Sequence, residues 1–343
     1  MVKLGFLGCG FMGQGVHLPN FLASDRCQVV ALAEARTRLG QAVAAKHGIP
    51  RVYSSHRELA GDPEIAAVAA ISSEAFHRGL VGELLAAGKH VYTEKPLATT
   101  VADAQALVEA AARSNRILMT AYMKRYDTGI RRAKELMEHL VADGDLGRVT
   151  YARGHCFGGD WIAAFKPTLL TTDERPPTAE RTTPPWLPDE LKDAYLTYVN
   201  VYCHNINLLR WFLACQPAVK HAEHRSGVTV VVMDFAGIPA VLETGSLPAH
   251  RWDEGMTVYF ERGRLRIFPP PPLHPEPARV ILYRAGDARE VVEPLAPWRW
   301  SFAAEAEHFL ECVEANQQPL TPGADALQDL EVCEAVFQNL VAG

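Results

Sequence analysis

The chain is predicted to be an α/β protein in two parts. A doubly wound parallel sheet of Rossmann type occupies residues 1–122, and an α+β domain occupies residues 123–343. Three observations predict this. A short apolar strand at the N-terminus runs straight into a glycine-rich turn and a helical pattern. Apolar runs then alternate with helical stretches as far as residue 122. Beyond that point strand-like runs at 227–235, 241–244, 256–260 and 265–268 are separated by Gly or Pro turns, which fits a meandering sheet.

The opening strand, residues 2–7, meets Gly8-Cys9-Gly10-Phe11-Met12-Gly13, after which Leu18, Phe21 and Leu22 continue at helical spacing. Glycines between a strand and a helix let the backbone approach a pyrophosphate, and the helix N-terminus supplies amide donors to it. Gly8, Gly10, Phe11, Met12 and Gly13 are therefore expected to bind a dinucleotide. Residues 28–33 form the second strand and end in Glu34, about 20 residues past the glycines, where an acid hydrogen-bonds the adenosine ribose. A carboxylate accepts from a 2′-hydroxyl and repels a 2′-phosphate, so Glu34 favours NAD. Arg36 and Arg38 follow it and would clamp a 2′-phosphate if Glu34 turned away, which keeps NADP as the alternative cofactor.

Residues 65–71 are a continuous run of small apolar side chains, the pattern of a strand covered on both faces, and they end in Ser72 and Ser73. A helix over 75–87 carries His77, which has no partner at metal-ligand spacing and reads as a packing or capping residue. Next comes Lys89-His90-Val91-Tyr92-Thr93-Glu94-Lys95-Pro96. A lysine at the C-terminal edge of a parallel strand sits where open α/β sheets bind ligands, and the proline after it arrests the strand. Ser72, His77, Glu94 and Lys95 complete the expected cofactor-binding set, with Arg36. A helix over 101–113 and a strand over 116–121 finish the sheet.

Among 343 residues 48% are hydrophobic and 22% charged, and the net charge of −6 is spread without basic clusters. No nucleic-acid or membrane partner is expected from such a chain. The N-terminus enters a strand at once and no apolar run is long enough to span a bilayer, so a cytoplasmic location is expected. Seven scattered cysteines without a Cys-x-x-Cys pair predict reduced, mostly buried thiols. His221 and His224 fall on opposite faces of a strand, and no metal site is expected.

The glycine-rich turn, the segment from Gly88 to Pro96 and the spacing between them resemble the Gfo/Idh/MocA family of oxidoreductases. Met123-Lys124-Arg125-Tyr126 is similar to that family's segment after the last nucleotide-domain strand, and Gly144-Asp145-Leu146-Gly147-Arg148-Val149 to its entry into the second domain. Residues 301–305 and 322–327 are similar to its two C-terminal helices, placed at about 301–341. The resemblance covers nearly the whole chain, with sharp motifs only in the first 100 residues. It implies a second domain built on a large, mostly antiparallel open sheet whose face meets the nicotinamide. Because that sheet often serves in oligomerisation, a homo-oligomer (dimer or tetramer) is expected. The substrate class it implies is a sugar, inositol or related polyol.

Between residues 157 and 192 lies a long irregular segment rich in Thr, Pro and charge. Trp161, Phe165 and Trp186 favour a substrate lid over a disordered insertion, because aromatic faces stack on sugar C–H surfaces. Residues 195–212 then read as one helix with Asn200, His204, Asn207 and Trp211 on one face. Taken alone, such a stripe is a buried histidine satisfied by asparagines. The resemblance implies more, because family members carry an Asp, a His four residues later and another Asp three residues after that. His204 stands at the histidine position here, and Asn200 and Asn207 at the acidic ones. Asn orients a hydroxyl but cannot ionise. Acid–base work is left to Lys95 and His204, with Tyr202, Tyr195 and Tyr198 as nearby phenols. The expected substrate-binding set is Lys95, Arg125, Trp161, Asn200, Tyr202 and His204.

The expected activity is NAD(P)-dependent transfer of hydride between the nicotinamide and a secondary carbinol or ketone, since hydride leaves a carbinol only as its proton goes to a base. Two alternatives stay open at this point. One is a regulator that senses dinucleotide and sugar without turnover, which the loss of both acids would suit. The other is an enzyme that oxidises a sugar transiently and recycles its NAD.

Overall fold

The computed structural model describes residues 1–246, 251–286 and 289–343. They form two compact units. One gathers Met1–Tyr122, Lys166–Pro184 and Phe302–Leu330; the other gathers Met123–Phe165, Pro185–Ser301 and Glu331–Gly343. The expected two-part division at residue 122 thus omits two returns of the chain, and most of the C-terminal helical region belongs to the nucleotide-type unit rather than to the second.

In the first unit, strands β1 (Val2–Leu7), β2 (Cys27–Ala33), β3 (Arg51–Tyr53), β4 (Ala67–Ala70), β5 (His90–Glu94) and β6 (Leu118–Ala121) form a sheet of order β3-β2-β1-β4-β5-β6. Every pairing in it is parallel. The buried strands β4 and β6 carry only small or apolar side chains plus Thr120, as burial on both faces demands. The strand β3 had no sequence signal because it is three residues long and only half buried at the sheet edge. Chain order reverses between β1 and β4, which makes the C-terminal ends of those strands the topological switch point where such sheets take ligands.

In the second unit, β7 (Val149–Gly158), β8 (Ala218–Arg225), β9 (Val228–Phe235), β10 (Ile238–Ser246), β11 (Asp253–Phe260), β12 (Gly263–Phe268), β13 (Arg279–Arg284) and β14 (Glu290–Val292) form a sheet of order β14-β13-β12-β11-β7-β10-β9-β8. Only β7 with β10 is parallel, so the sheet is mostly antiparallel as expected. Side chains alternate along β9 between buried Thr229, Val231, Met233, Phe235 and half-buried neighbours. On β11 the same parity turns Glu254 inward with Met256, Val258 and Phe260.

Two local expectations need correction. Residues 195–212 are not one regular helix: an α-helix Lys192–Thr197 passes through a π turn, Tyr198–Tyr202, into an α-helix Cys203–Leu213. The wider π turn breaks the simple 3.6-residue phase that placed Asn200 in line with His204. The irregular 157–192 segment is also not a free insertion, because residues 166–184 are hydrogen-bonded into the nucleotide-type unit. All seven cysteines are free thiols, and every one but Cys215 is buried. No helix among the described residues is long and apolar enough to cross a membrane.

Candidate functional site

The three glycines of the first turn do three different things. Gly8 adopts φ +97°, and a Cβ there would stand 1.9 Å from the Ile71 carbonyl oxygen. At Gly13 a Cβ would stand 2.0 Å from the Gly8 carbonyl oxygen, so that glycine lets the helix close on the strand. Nothing lies within 4 Å of the corresponding point at the exposed Gly10. The turn is therefore tight where it packs and open where a pyrophosphate would approach, beside a helix that begins at Phe11 and Met12. Glu34, buried at the end of β2, turns toward this loop and accepts the Cys9 N–H at 2.7 Å. Arg36 grips the same carboxylate with Nε at 2.8 Å and Nη2 at 3.1 Å. Burial alone would push the Glu34 carboxyl up, but these hydrogen bonds from Arg36 and Cys9 outweigh it and hold it below the ordinary range. The tight packing at Gly8 and Gly13 and the open backbone at Gly10 fit a dinucleotide, with Glu34 beside them at the end of β2.

Lys95 lies half-buried just past the C-terminal end of β5. Its backbone N–H donates to Glu94 Oε2 at 3.0 Å, and its bond to Pro96 is cis. His77 supports this turn from behind. The ring is fully buried, with Nδ1 3.1 Å from both the Pro96 and Leu97 carbonyl oxygens and Nε2 3.3 Å from the Ser72 carbonyl oxygen. Burial pushes its pKa down, which favours a neutral ring donating from Nδ1. His77 thus holds the turn after β5, with its Nε2 side packed against the end of β4, and its ring is fully buried, unlike the half-buried Ser72. Gly8, Ser72, Glu94 and Lys95 all sit at the C-terminal ends of neighbouring strands, on the edge that includes the switch point.

Beneath Lys95 runs a buried polar chain that no single stretch of sequence announces. Glu94 Oε1 is 2.7 Å from His17 Nε2, His17 Nδ1 is 3.2 Å from the Tyr92 hydroxyl, and that hydroxyl donates to Glu305 Oε1 at 2.7 Å. A π turn, Gly13–His17, brings His17 into line. Burial would raise the Glu94 carboxyl, yet the His17 hydrogen bond and the charges of His17 and Lys95 hold it low. At the far end burial, with the Glu94 charge, drives the Glu305 carboxyl well above its ordinary value against the Tyr92 hydrogen bond. The folded chain therefore keeps a proton on Glu305 that the unfolded chain gives up above about pH 4.3. That contribution to stability is complete below the unfolded pKa and is lost as pH rises toward the folded one. Glu305→Gln is expected to gain on the wild type by up to about 1.4 kcal/mol per pH unit across that window. Urea denaturation from acid to alkaline pH checks this; a wild-type-to-variant difference independent of pH would contradict it.

The second unit holds its own buried polar cluster. Lys124, which follows β6, pairs with Glu254 of β11, and both are buried at 4% and 5% exposure. Asn205 Nδ2 donates to Glu254 Oε1 at 2.7 Å and Trp252 Nε1 donates to Oε2 at 2.8 Å. Arg125 is buried too: Nη1 donates to Asn207 Oδ1 at 3.2 Å, and the guanidinium stacks 4.3 Å over the Trp211 ring. These contacts brace the Cys203–Leu213 helix at Asn205, Asn207 and Trp211, three positions around His204. His204 itself is buried and Asn200 half-buried.

Of the three phenols, Tyr195 and Tyr198 pack edge-on against Phe337 at 5.2 and 5.6 Å between ring centroids, deep in the core. Burial pushes both phenols far up. Tyr202 is pushed up to about 12, which leaves it a hydrogen-bond donor at neutral pH. Trp161 is 40% exposed after β7, its carbonyl accepting the Leu273 N–H at 3.2 Å.

The family profile described as an oxidoreductase family with an NAD-binding Rossmann fold matches residues 2–122. A myo-inositol 2-dehydrogenase of Thermotoga maritima is 24% identical, the match covering 99% of this chain and 96% of that protein. An inositol 2-dehydrogenase of Saccharopolyspora erythraea is 26% identical, covering 100% and 94%. The solved structure of an aldose-aldose oxidoreductase from Caulobacter crescentus, complexed with glycerol, superposes with a TM-score of 0.78 at 20% identity, covering 100% of this chain and 98% of that one. Through residues 2–122 the chain is similar to the Gfo/Idh/MocA oxidoreductases, a family whose profile describes an NAD-binding Rossmann fold.

Proposed function

We propose that the chain transfers hydride between NAD and a secondary carbinol of an inositol or a related polyol or sugar. The observation that carries this reading is Lys95, held past the end of β5 on the same strand edge as the glycine turn of β1. Two of the relatives matched over nearly their whole length are named as inositol 2-dehydrogenases, which supports the substrate class.

Bound NAD supplies the hydride acceptor at its nicotinamide ring. The chain's own residues do the rest. The open backbone at Gly10 approaches the pyrophosphate, and Glu34 accepts from the adenosine ribose. His77 and Pro96 fix the turn that carries Lys95, whose Nζ takes the carbinol proton as hydride departs. His204 is the second acid–base group, and Asn200 and Tyr202 orient substrate hydroxyls. Arg125, spent on Asn207 and Trp211, positions the His204 helix instead of binding substrate directly.

A label-transfer experiment tests this. With myo-inositol or another polyol deuterated at its carbinol carbons, deuterium is expected at nicotinamide C4 of the NADH formed. NADH lacking deuterium would contradict direct hydride transfer.

A further inference from the structure

We propose that Asp173 and Glu174 set the choice of cofactor by occupying the place a 2′-phosphate would take, reserving the site for NAD. The inference deepens the dinucleotide reading above and rests on it. Residues 166–184 run as a strap along the strand edge of the nucleotide-type unit. Gln14, after β1, donates to the Leu170 carbonyl oxygen at 3.0 Å and accepts the Leu170 N–H at 2.9 Å. Lys46, after β2, donates to the Thr168 carbonyl oxygen at 3.2 Å. Arg181 pairs with Glu74, after β4, at 3.5 Å. Thr182 meets Thr99, after β5, at 3.0 Å and donates to Asp103 at 3.1 Å.

Where this strap passes the end of β2, it delivers two carboxylates. Glu174 accepts the backbone N–H groups of Arg38 and Leu39 in the first turn of the helix Thr37–His47, each at 3.1 Å. Thr172 steadies it with a hydroxyl donated at 2.9 Å. Asp173 pairs with the Arg38 guanidinium. Arg36 is already forked onto Glu34.

A 2′-phosphate beside the ribose would call on these groups: an arginine following the β2 acid and the dipole and amides of the next helix. Both arginines and both amides are answered by carboxylates of the chain itself. NADP would have to displace Asp173 and Glu174 while its phosphate faced Glu34. NAD, whose 2′-hydroxyl donates to Glu34, asks for none of this. The alternative of Arg36 and Arg38 clamping a phosphate is thereby opposed twice, at Arg36 by the neighbouring Glu34 and at Arg38 by a segment more than a hundred residues away in sequence.

Calorimetric titration of the full chain with NAD and with NADP, in the absence of substrate, tests the proposal. Wild type is expected to bind NAD at least about tenfold more tightly than NADP. The double variant Asp173→Asn/Glu174→Gln is expected to narrow that ratio at least about tenfold, chiefly through tighter NADP binding. Thr182→Val loosens the strap elsewhere without altering its charge and should leave the ratio within about threefold. Equal affinities in wild type, an unmoved ratio in the double variant, or an equal change in Thr182→Val would each overturn it. Binding of neither dinucleotide would overturn the underlying dinucleotide reading instead, and is distinguishable from those outcomes.

Discussion

Lys95→Met is expected to lower kcat by about 10²–10⁴-fold, the usual yield of a positioned acid–base group, with the NAD dissociation constant staying within about threefold of wild type. On the proposed reading the two effects separate, because most of the groups assigned to the dinucleotide lie elsewhere. Gly8, Gly10, Gly13 and Glu34 belong to β1, β2 and the turn between β1 and its helix, while Lys95 contributes a side chain beyond β5. Methionine keeps the length and apolar stem of lysine but has no proton to exchange. The turn should survive, since His77 holds it through the Pro96 and Leu97 carbonyls and not through the lysine side chain. Steady-state kinetics beside a fluorescence titration with NADH measures both quantities. Near-normal kcat would remove Lys95 from the chemistry; loss of NADH binding would make it a cofactor residue instead.

The largest stability effect is expected at Glu254. Its carboxylate is buried against the Lys124 ammonium, the Asn205 amide and the Trp252 indole. Glu254→Leu strands the Lys124 charge at 4% exposure and leaves the buried Asn205 amide and the half-buried Trp252 indole unanswered. Removing one member of a buried pair typically costs about 3–5 kcal/mol, whereas replacing both by apolar groups is often close to neutral. Lys124→Met/Glu254→Leu is therefore expected to recover more than half of that loss in urea denaturation. A single-variant cost below about 1 kcal/mol would show that the pair is solvated or dispensable.

Much of the nucleotide-type unit was legible because its signals are local. The Gly8-to-Gly13 turn, Glu34 after β2 and Lys95 before Pro96 each mark their places at the strand ends within a few residues, and the strands β4 and β6 advertise double-sided burial by composition. What escaped was non-local or broke a regular period. Glu174 acts on amides 136 and 135 positions earlier in the chain, and Tyr92 on Glu305, 213 positions later. Nothing in the neighbourhood of any of these residues marks the partner. Glu254 had a usable signal, since its parity on β11 matches the buried Met256, Val258 and Phe260. The π turns at Gly13–His17 and Tyr198–Tyr202 shift helical phase without any composition cue, so regular helical spacing does not relate Asn200 to His204. His77 was grouped with the cofactor residues by its place near the strand ends, while its burial makes it a brace for the Lys95 turn.

The most direct test of the central claim is nicotinamide absorbance during incubation of the purified chain with NAD and a panel of inositols, polyols, aldoses and, in reverse with NADH, keto-sugars. Steady production or consumption of NADH with at least one member of the panel is the predicted result. Tight NAD binding without any change in absorbance across the whole panel would contradict a dehydrogenase working on this substrate class.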